Sequence, residues 1–312
     1  MGQLRVVHCP VNFAGIGWTN VEALRRKGID ARLVVFNTHP AHPDADQNLR
    51  LPQRPAWRRL AGQMRALAKL LPETDVFHFY FGLTLVPKRL QFPILKAARK
   101  KSVFHFVGSD IRGKSPDELA YGSRADAQIV GSYDAARWIP EAEVLPPGID
   151  LSAITPVPPR TAGPVRVAHA ALSRSRKGTE LIVAACAELG VELDVIENLR
   201  HDEVGPRLAQ ADVVVDQLNS GWYGLFAIEA MAYGKPVAGY IHEQAAARTA
   251  QAFGAEVPIV RTTKETLAGD LRALVESAEK RQERGAASRA YVERVHDAGA
   301  MADRLIDIYS QL

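Results

Sequence analysis

Residues 211–240 read ADVVVDQLNSGWYGLFAIEAMAYGKPVAGY and contain the pattern that decides the fold. An apolar run that ends at Asp216 predicts a buried strand, Leu225–Ala232 predicts a helix, and Pro236–Tyr240 predicts the next strand. Strands and helices that alternate in this way form parallel sheets, and the loop after each strand lies at the carboxyl edge of the sheet. The stretch therefore predicts an α/β unit with a ligand site in the glycine-containing loop 217–224.

The same alternation extends over the whole chain. Further strands are predicted at 4–9, 32–36, 75–81, 102–107, 127–130, 165–168 and 191–196, and helical patterns at 18–27, 55–71, 179–189, 202–209, 264–296 and 300–308. Proline density between Pro146 and Pro164 is incompatible with a helix or a central strand and predicts a connector. We expect two doubly wound Rossmann-like domains that face each other across a cleft, at 1–155 and 156–297, with a C-terminal helix in 298–312 that crosses back to the first.

Length and composition agree with two soluble domains. The 312 residues allow about two domains of ~150 residues, and 47% hydrophobic with 24% charged residues excludes a disordered chain. The net charge of +4 is too small to indicate a nucleic-acid partner. Cys9 and Cys186 are too few for a disulfide framework, the N-terminus lacks a signal core, and the apolar stretch Val76–Val86 is too short to span a membrane. These features predict a cytoplasmic protein.

Two glycine-containing turns follow predicted strands and can bring backbone N–H groups to a phosphate. Gly15 and Gly17 stand in the first turn, but Asn20 replaces the third small residue of a dinucleotide fingerprint, which argues against a nicotinamide cofactor. The N–H groups of Gly224 and Leu225 begin the helix of the second turn, where the helix dipole favours an anion. Either turn can also be a simple tight connection.

Two charged residues accompany the second turn. Lys177, beside Gly178 at a predicted helix start, suits a diphosphate oxygen, although a solvated basic loop is the plainer interpretation. Glu229 lies about one turn into its helix and would repel a phosphate, but it can accept hydrogen bonds from sugar hydroxyls such as those of a ribose. Its neighbours Ile228 and Ala230 are apolar, which argues against the alternative that Glu229 is a fully exposed helix acid.

These residues form part of a longer motif. The pattern Gly224-Leu225-x-x-x-Glu229-Ala230-Met231-Ala232-x-Gly234-x-Pro236-Val237 closely resembles the nucleotide-sugar motif of retaining glycosyltransferases of family four (group 1 type), which have the GT-B fold. VAHAALSRSRKGT at 167–179 resembles the loop that binds the donor diphosphate. FVGSDIR at 106–112 and DVFHFYFG at 75–82 resemble segments of the N-terminal, acceptor-side domain, so that the resemblance covers most of the chain.

The resemblance implies a nucleotide-sugar-dependent hexosyl- or glycosyltransferase that acts on an acceptor hydroxyl with retention. It implies neither a cofactor nor a metal ion. The substrate would be a UDP- or GDP-linked sugar. The residues it points to as catalytic are Asp110, His105 and Lys177. The resemblance and the glycine turns together point to ten donor-binding residues. These are Gly15, Gly17, Arg174, Lys177, Gly178, Trp222, Tyr223, Gly224, Leu225 and Glu229.

Three positions depart from the family pattern. Gly221 replaces the first of two glutamates, and Asp216, Trp222 or Tyr223 would have to substitute for it. Val107 replaces a histidine, for which His105, on the same strand face, is a partial substitute. Leu172 stands where an arginine is expected, and we favour Arg174 over Arg176 in its place. These departures leave open a non-catalytic GT-B relative that binds a nucleotide or a partner transferase. A sugar-nucleotide epimerase is a third hypothesis.

Several features remain ambiguous. Residues 55–71 combine apolar and basic positions at helical spacing, which fits either a helix on a membrane surface or a helix packed on the sheet, and we favour the packed helix. A peripheral position at the inner membrane face is the corresponding alternative location. His39 and His42 are interpreted as a polar loop rather than as metal ligands, and His169 as a cleft residue or a core residue. The oligomeric state is not indicated.

Overall fold

The computed structural model describes residues 3–51, 53, 55–171 and 173–312, which divide into two compact units. The first unit comprises the chain up to Gly148 together with Ala298–Leu312, and the second comprises Ile149–Asp297. Leu172, one of the positions that departs from the family pattern, lies outside the described residues.

The first unit is built on a seven-stranded parallel sheet with the order β3-β2-β1-β4-β5-β6-β7. Its strands are β1 (Arg5–Cys9), β2 (Asp30–Val35), β3 (Gln47–Asn48), β4 (Val76–Tyr80), β5 (Lys101–Phe106), β6 (Ala127–Val130) and β7 (Glu143–Val144). Its helices are α1 (Ile16–Arg26), α2 (Ala56–Leu70), α3 (Lys88–Ala97), α4 (Pro116–Leu119) and α12 (Ala298–Ser310), the last of which packs on α1. All five residues of β4 are buried, as expected for a parallel strand that is covered on both faces.

The second unit is built on a five-stranded parallel sheet with the order β12-β11-β10-β8-β9. Its strands are β8 (Arg166–Ala170), β9 (Glu192–Ile196), β10 (Val213–Val215), β11 (Val237–Gly239) and β12 (Val260–Arg261). Its helices are α5 (Arg174–Lys177), α6 (Thr179–Glu188), α7 (His201–Gln210), α8 (Leu225–Ala232), α9 (Glu243–Phe253), α10 (Leu267–Glu276) and α11 (Ala278–Val295). The two parallel sheets with intervening helices confirm the predicted pair of Rossmann-like domains.

Each sheet has a topological switch point. In the first unit the chain leaves β1 for β2 on one side and later returns to place β4 on the other. In the second unit β8 is flanked in the same way by β9 and β10. The loops at the carboxyl ends of such paired central strands diverge and leave a crevice, which is where open α/β sheets bind ligands.

The proline-rich segment is attached to the second unit by hydrogen bonds. The backbone N–H of Ile149 donates to the carbonyl of His296 at 2.7 Å, and that of Val157 donates to the carbonyl of Tyr233 at 2.9 Å. These bonds attach the segment after Gly148 to the second unit. For this reason the first unit ends at Gly148 rather than at the expected boundary at 155.

The helical patterns predicted over 264–296 form two helices, α10 and α11. The Ser277 side chain accepts a hydrogen bond from the N–H of Lys280 and caps α11, so that the chain turns between the two helices. Of the helices in the described ranges, none has both the length and the apolar character that crossing a lipid bilayer requires.

Helix α11 packs closely against the end of α8. A Cβ atom on Gly285 would lie 2.2 Å from the carbonyl oxygen of Gly234, so only glycine permits this approach of the two backbones. Helix α8 carries Glu229, and this contact therefore holds the segment in which the candidate ribose ligand lies.

We expect Gly285→Ala to lower the free energy of unfolding by about 1–3 kcal/mol, because the added methyl group meets backbone that must move. Gly269→Ala is the matched control, since Gly269 is also helical but has nothing within 4 Å of the added atom. The control should raise stability by about 0.5–1 kcal/mol. Urea unfolding of both variants measures the difference, and equal effects would contradict the packing argument.

Candidate functional site

The switch point of the second sheet brings Lys177 and Asp216 together. Lys177 ends α5 after β8, and Asp216 follows β10 directly. The Lys177 Nζ atom lies 2.6 Å from Asp216 Oδ1, in an ion pair whose carboxylate is fully buried. A buried carboxylate requires such compensation, because transfer out of water disfavours a lone charge.

The second oxygen of the same carboxylate binds the start of α8. Asp216 Oδ2 accepts a hydrogen bond from the N–H of Gly224 at 2.8 Å. The N–H groups of Leu225 and Phe226 follow in the first turn of α8, where a helix offers no internal acceptor. An anion thus already occupies part of the N-terminal end of α8, and that anion is the Asp216 side chain.

Gln217 shapes the loop between Asp216 and α8, and sequence reasoning did not identify it. Its side-chain amide donates to the carbonyls of Trp222 and Tyr240, each at 2.9 Å. Its oxygen accepts from the N–H groups of Asn219 at 2.7 Å and Ser220 at 2.6 Å. Four hydrogen bonds from one buried side chain fix a loop that would otherwise be free to move, and the only signal in the sequence was its place directly after a buried strand.

Gly221 lies in a crowded position in the structure. Gly221 has a φ of +71°, and a Cβ atom there would lie 2.3 Å from Cδ2 of His242. The backbone N–H of His242 also donates to the Gly221 carbonyl at 2.8 Å. The imidazole of His242 therefore fills the space that a side chain at 221 would need. Sequence reasoning missed His242, although it follows β11 by three positions at the same edge of the sheet.

Trp222 and Tyr223 are turned into the protein. Both are buried and stack on each other with ring centroids 4.7 Å apart. The Tyr223 hydroxyl bonds to the hydroxyl of Tyr291 at 2.7 Å and to Nε2 of His296 at 3.0 Å. The polar group of Tyr223 is thus already used within the second unit, and its position favours a structural role over contact with a donor.

The basic loop after β8 contains two arginines in different situations. Arg174, the one favoured from the sequence, pairs with Glu180 at 2.8 Å and with Glu197 at 3.1 Å. Arg176 is exposed and forms no ion pair with any residue in the described ranges. Gly178 follows in the left-handed region at φ +77°, close to Leu218. The net positive charge of this loop is therefore carried by Arg176.

Glu229 lies near the same edge of the sheet, five residues after Gly224, which corresponds to about 7 Å along α8. Its Oε1 atom is 2.7 Å from Nε2 of His201, the first residue of α7, and its side chain is largely covered. His201 follows β9, Lys177 follows β8 and α8, which carries Glu229, follows β10, so the three residues come from segments that leave neighbouring strands of one sheet. His201 is a second residue that the sequence did not indicate.

His169 is a core residue. It is fully buried in β8, and its Nδ1 lies 2.8 Å from the carbonyl oxygen of Val215 while its Nε2 lies 2.8 Å from the hydroxyl of Thr179. Nδ1 must donate to the carbonyl, and in the neutral ring Nε2 accepts from the Thr179 hydroxyl. Burial lowers the pKa of His169 accordingly.

In the first unit, Gly15 and Gly17 lie at the switch point between β1 and β4. Gly15 has a φ of +73° and precedes α1, while Gly17 lies within the first turn of that helix. A Cβ atom on Gly17 would lie 3.2 Å from Leu33 and 3.3 Å from Asn12. The side chain of Asn12 also accepts from the N–H of Trp18 at 3.1 Å. Close packing of α1 on the sheet is thus one reason for a glycine at 17.

Asp110 stands in the loop after β5. Its Oδ1 accepts from the N–H groups of Val107 at 3.0 Å and Gly108 at 2.9 Å, whereas its buried Oδ2 has no partner among the described residues. Burial raises the pKa of Asp110 despite these hydrogen bonds. The carboxylate is held in place by one oxygen, while the other is buried without a hydrogen-bond partner among the described residues.

His105 belongs to a buried chain of hydrogen bonds rather than to an open site. Its Nδ1 is 3.1 Å from Nε2 of His78, whose Nδ1 is 2.7 Å from the hydroxyl of Tyr309 in α12. That hydroxyl is 3.3 Å from Nε2 of His8, and His8 Nδ1 is 2.8 Å from the hydroxyl of Tyr80. These contacts commit Nδ1 of His105 to the interior of the first unit.

The hydrogen bonds that link these tyrosines and histidines all run in one direction. The amide of Asn20 donates to the Tyr80 oxygen at 2.8 Å, which leaves the Tyr80 hydroxyl to donate onward to His8. Each imidazole then receives at Nδ1 and donates from Nε2, so all three rings are neutral. Burial lowers the pKa of His8 and of His105 to about 3, and that of His78 well below its usual value.

Comparisons with known proteins bear on the fold. No family model matches the sequence, and no curated protein matches it. Sucrose-phosphate synthase from Thermosynechococcus elongatus is similar in structure over 99% of both chains, with a TM-score of 0.74 at 16% identity. HepE from Anabaena in complex with UDP-glucose is similar over 100% of both chains, with a TM-score of 0.69 at 14% identity.

A third similar structure is AviGT4, a glycosyltransferase involved in avilamycin A biosynthesis. It matches over 99% of this chain and 98% of its own, with a TM-score of 0.61 at 16% identity. At these identities the likeness concerns the fold. Together with the two Rossmann-like units, it confirms the predicted GT-B fold.

The histidine chain generates a prediction on pH. The folded rings stay neutral while unfolded histidines take up protons below pH ~6.5, so the free energy of unfolding should fall as pH falls from there towards 3. Each such histidine contributes a slope of about 1.4 kcal/mol per pH unit well below pH 6.5. Urea unfolding of wild type and His105→Asn at several pH values measures this. In the variant, the slope of the free energy of unfolding against pH should be smaller by the contribution of one histidine.

His39→Asn is the matched control, because His39 is exposed. It should keep the wild-type dependence of stability on pH. If His105→Asn also kept the full wild-type slope, the neutral, buried state of His105 would be wrong.

Proposed function

We propose that this protein is a glycosyltransferase that moves a sugar from a nucleotide diphosphate donor to an acceptor hydroxyl, with retention and without a bound metal ion. One observation carries the proposal. The ammonium group of Lys177 and the N–H of Gly224, the residue before α8, converge on a single carboxylate, that of Asp216, at the switch point of the second sheet. Positive charge and backbone donors are thus placed together where open α/β sheets bind phosphate groups.

Asp216 acts in this proposal as a positioning residue. Its buried carboxylate holds Lys177 and the start of α8 in fixed places and uses only one of the three donors of the ammonium group. The remaining Lys177 donors, with the N–H groups of Leu225 and Phe226, are left for the donor diphosphate. Because Asp216 and Lys177 cancel in charge, a further cation is needed.

Arg176 supplies that cation in the proposal. It stands one position before Lys177, is exposed, and has no carboxylate partner in the described part of the chain. Arg174 is less suitable, because two glutamates already neutralise it. A planar guanidinium can bind two phosphate oxygens through two parallel N–H bonds, a geometry that an ammonium group does not offer.

Glu229 holds the ribose in this proposal. His201 occupies one of its oxygens and fixes the orientation of the carboxylate, so the other oxygen can accept from ribose hydroxyls. The donor base is uracil or guanine by resemblance, and the solved complexes of HepE with UDP and UDP-glucose support uracil.

The chemistry requires stabilisation of the departing nucleotide. As the bond between the sugar C1 and the diphosphate oxygen breaks, negative charge grows on that oxygen, and Lys177, Arg176 and the amides of α8 stabilise it more than the ground state. The acceptor oxygen bonds to C1 on the same face, and its proton passes to the leaving phosphate. On the first unit, the carboxylate of Asp110 and the turn of Gly15 and Gly17 are the proposed ligands of acceptor or sugar.

A non-catalytic nucleotide-binding relative is the second candidate. The observation that favours it is that His242 occupies the space beside Gly221, where the resemblance leads us to expect a glutamate. Both functions require the nucleotide site, but only a transferase releases sugar from a bound donor. Turnover of sugar nucleotides by the purified protein therefore separates the two.

The diphosphate assignment gives the first prediction. Lys177→Met should weaken binding of UDP by about ten- to hundredfold, the value of a hydrogen bond to a charged group, and leave uridine binding nearly unchanged. Isothermal titration calorimetry with the two ligands measures this. Lys280→Met, at an exposed lysine of α11, is the matched control and should bind both ligands as wild type does.

The single variant leaves Asp216 buried without its cation and can unfold for that reason. Lys177→Met combined with Asp216→Asn removes both charges and serves as the folded test. If this double variant bound UDP as tightly as wild type, the assignment of Lys177 to the diphosphate would be excluded.

The ribose assignment gives the second prediction. Wild type should prefer UDP over 2′-deoxy-UDP or 3′-deoxy-UDP, and Glu229→Gln should lose roughly ten- to hundredfold in UDP affinity together with that preference. Glu279→Gln, at an exposed acid of α11, should change neither. A Glu229→Gln protein that still discriminated the deoxynucleotides as wild type does would return Glu229 to a structural role.

A further inference from the structure

Helix α2 has three distinct faces. Its buried face consists of Ala66, Leu67 and Leu70, which pack in the core of the first unit. At about 100° per residue, a second face contains Trp57, Leu60, Ala61 and Met64 within an arc of roughly 100°, and a third contains Arg58, Arg65 and Lys69. The second face is apolar but points away from the core.

The exposure of this apolar face is large. Trp57 is 68% exposed, Leu60 43% and Met64 37%. The expectation that the helix simply packs on the sheet therefore applies to its C-terminal half only. A tryptophan, a leucine and a methionine on one exposed helix face mark a surface that is covered by something else.

The segment of the chain that contains α2 is strongly basic. Residues 47–109 contain 12 Lys and Arg but only 2 Asp and Glu, a surplus of 10, so the rest of the chain carries a net charge of −6. Helix α2 itself contains no acid, and Arg58, Arg59, Arg65 and Lys69 form no ion pair with any described residue. The guanidinium of Arg58 lies over the Trp57 ring, 4.9 Å from its centroid.

A cavity of about 360 Å³ opens beside the N-terminal half of α2. Leu60 and Arg59 line it from the helix, and Phe36, Leu51 and Pro87 line it from neighbouring segments. Its walls are mainly apolar, with one guanidinium. Such a hollow suits a group that has an apolar body and an anionic end.

We propose that α2 binds the surface of a bilayer that contains anionic lipids. Trp57, Leu60 and Met64 enter the boundary between headgroups and acyl chains, while Arg58, Arg65 and Lys69 bind the lipid phosphates. This is the arrangement of an interfacial amphipathic helix, in which apolar burial and attraction to anionic lipid act together. The proposal does not depend on the transferase function.

Nucleic acid is the other polyanion that such charge would attract, and the apolar face argues against it. Phosphate backbones are bound by Lys and Arg on polar surfaces, and exposed Leu60 and Met64 gain nothing from them. An acyl-chain boundary buries both. The observations therefore favour lipid as the partner.

Flotation of the full-length protein with vesicles tests the proposal. The protein should float with vesicles of phosphatidylglycerol mixed into phosphatidylcholine, not with phosphatidylcholine alone, and added salt should weaken the binding. Arg58→Gln with Arg65→Gln should lower partitioning by roughly thirtyfold, at the usual contribution of a basic residue near an anionic surface. Trp57→Gln with Met64→Gln should lower it at least about tenfold.

Matched controls lie on the second unit. Lys280→Gln with Arg284→Gln removes the same charge from exposed positions of α11, and Leu181→Gln removes an exposed apolar side chain from α6. Both should float as wild type does. The proposal is overturned if wild type ignores the anionic vesicles, if the controls lose as much binding as the α2 variants, or if the α2 arginines prove to bind a single-stranded RNA oligonucleotide instead of vesicles.

Discussion

A single buried carboxylate organises the second unit's candidate site. Asp216 emerges from β10 at the switch point and binds a lysine from the loop after β8 and the N–H of Gly224, the residue before α8. Without that anion, a partly buried ammonium and a helix N-terminus would face each other with like electrostatic sign. The carboxylate therefore lets two cationic elements lie close together, which a diphosphate site requires. It also sets their distance before any ligand arrives, so little reorganisation is needed on binding.

The sequence predicted the fold because its signals are local. Period-two runs, helical spacing and glycine turns need no knowledge of distant residues, and the pair of Rossmann-like domains follows from them. Helical patterns were predicted over 264–296 without a boundary between them, and the capping hydrogen bond of Ser277 shows where the second helix begins. The boundary at 155 was expected from proline density, whereas the hydrogen bonds of Ile149 and Val157 attach that segment to the second unit.

The candidate site was less predictable because its details depend on pairs that are distant in the chain. The crowding of Gly221 by His242, the pairing of Arg174 with Glu197 and the contact of His201 with Glu229 join residues about 20 or more positions apart. No spacing rule indicates them. His105 shows the same limit, since period two placed it correctly on a strand face but could not show that this face meets Tyr309 of α12 through His78.

The distribution of charge connects α2 with the rest of the chain. A net charge of +4 conceals a basic segment of 63 residues and a remainder that is acidic overall. A bilayer with anionic lipids attracts the basic segment and repels the acidic remainder. It would therefore orient the molecule as well as bind it. The attraction falls off within about one Debye length, roughly 10 Å, and therefore acts on the basic segment only when that face is near the surface. The exposed apolar face of α2 then adds a short-range contribution that charge alone cannot give, and this explains why both features occur on the same helix.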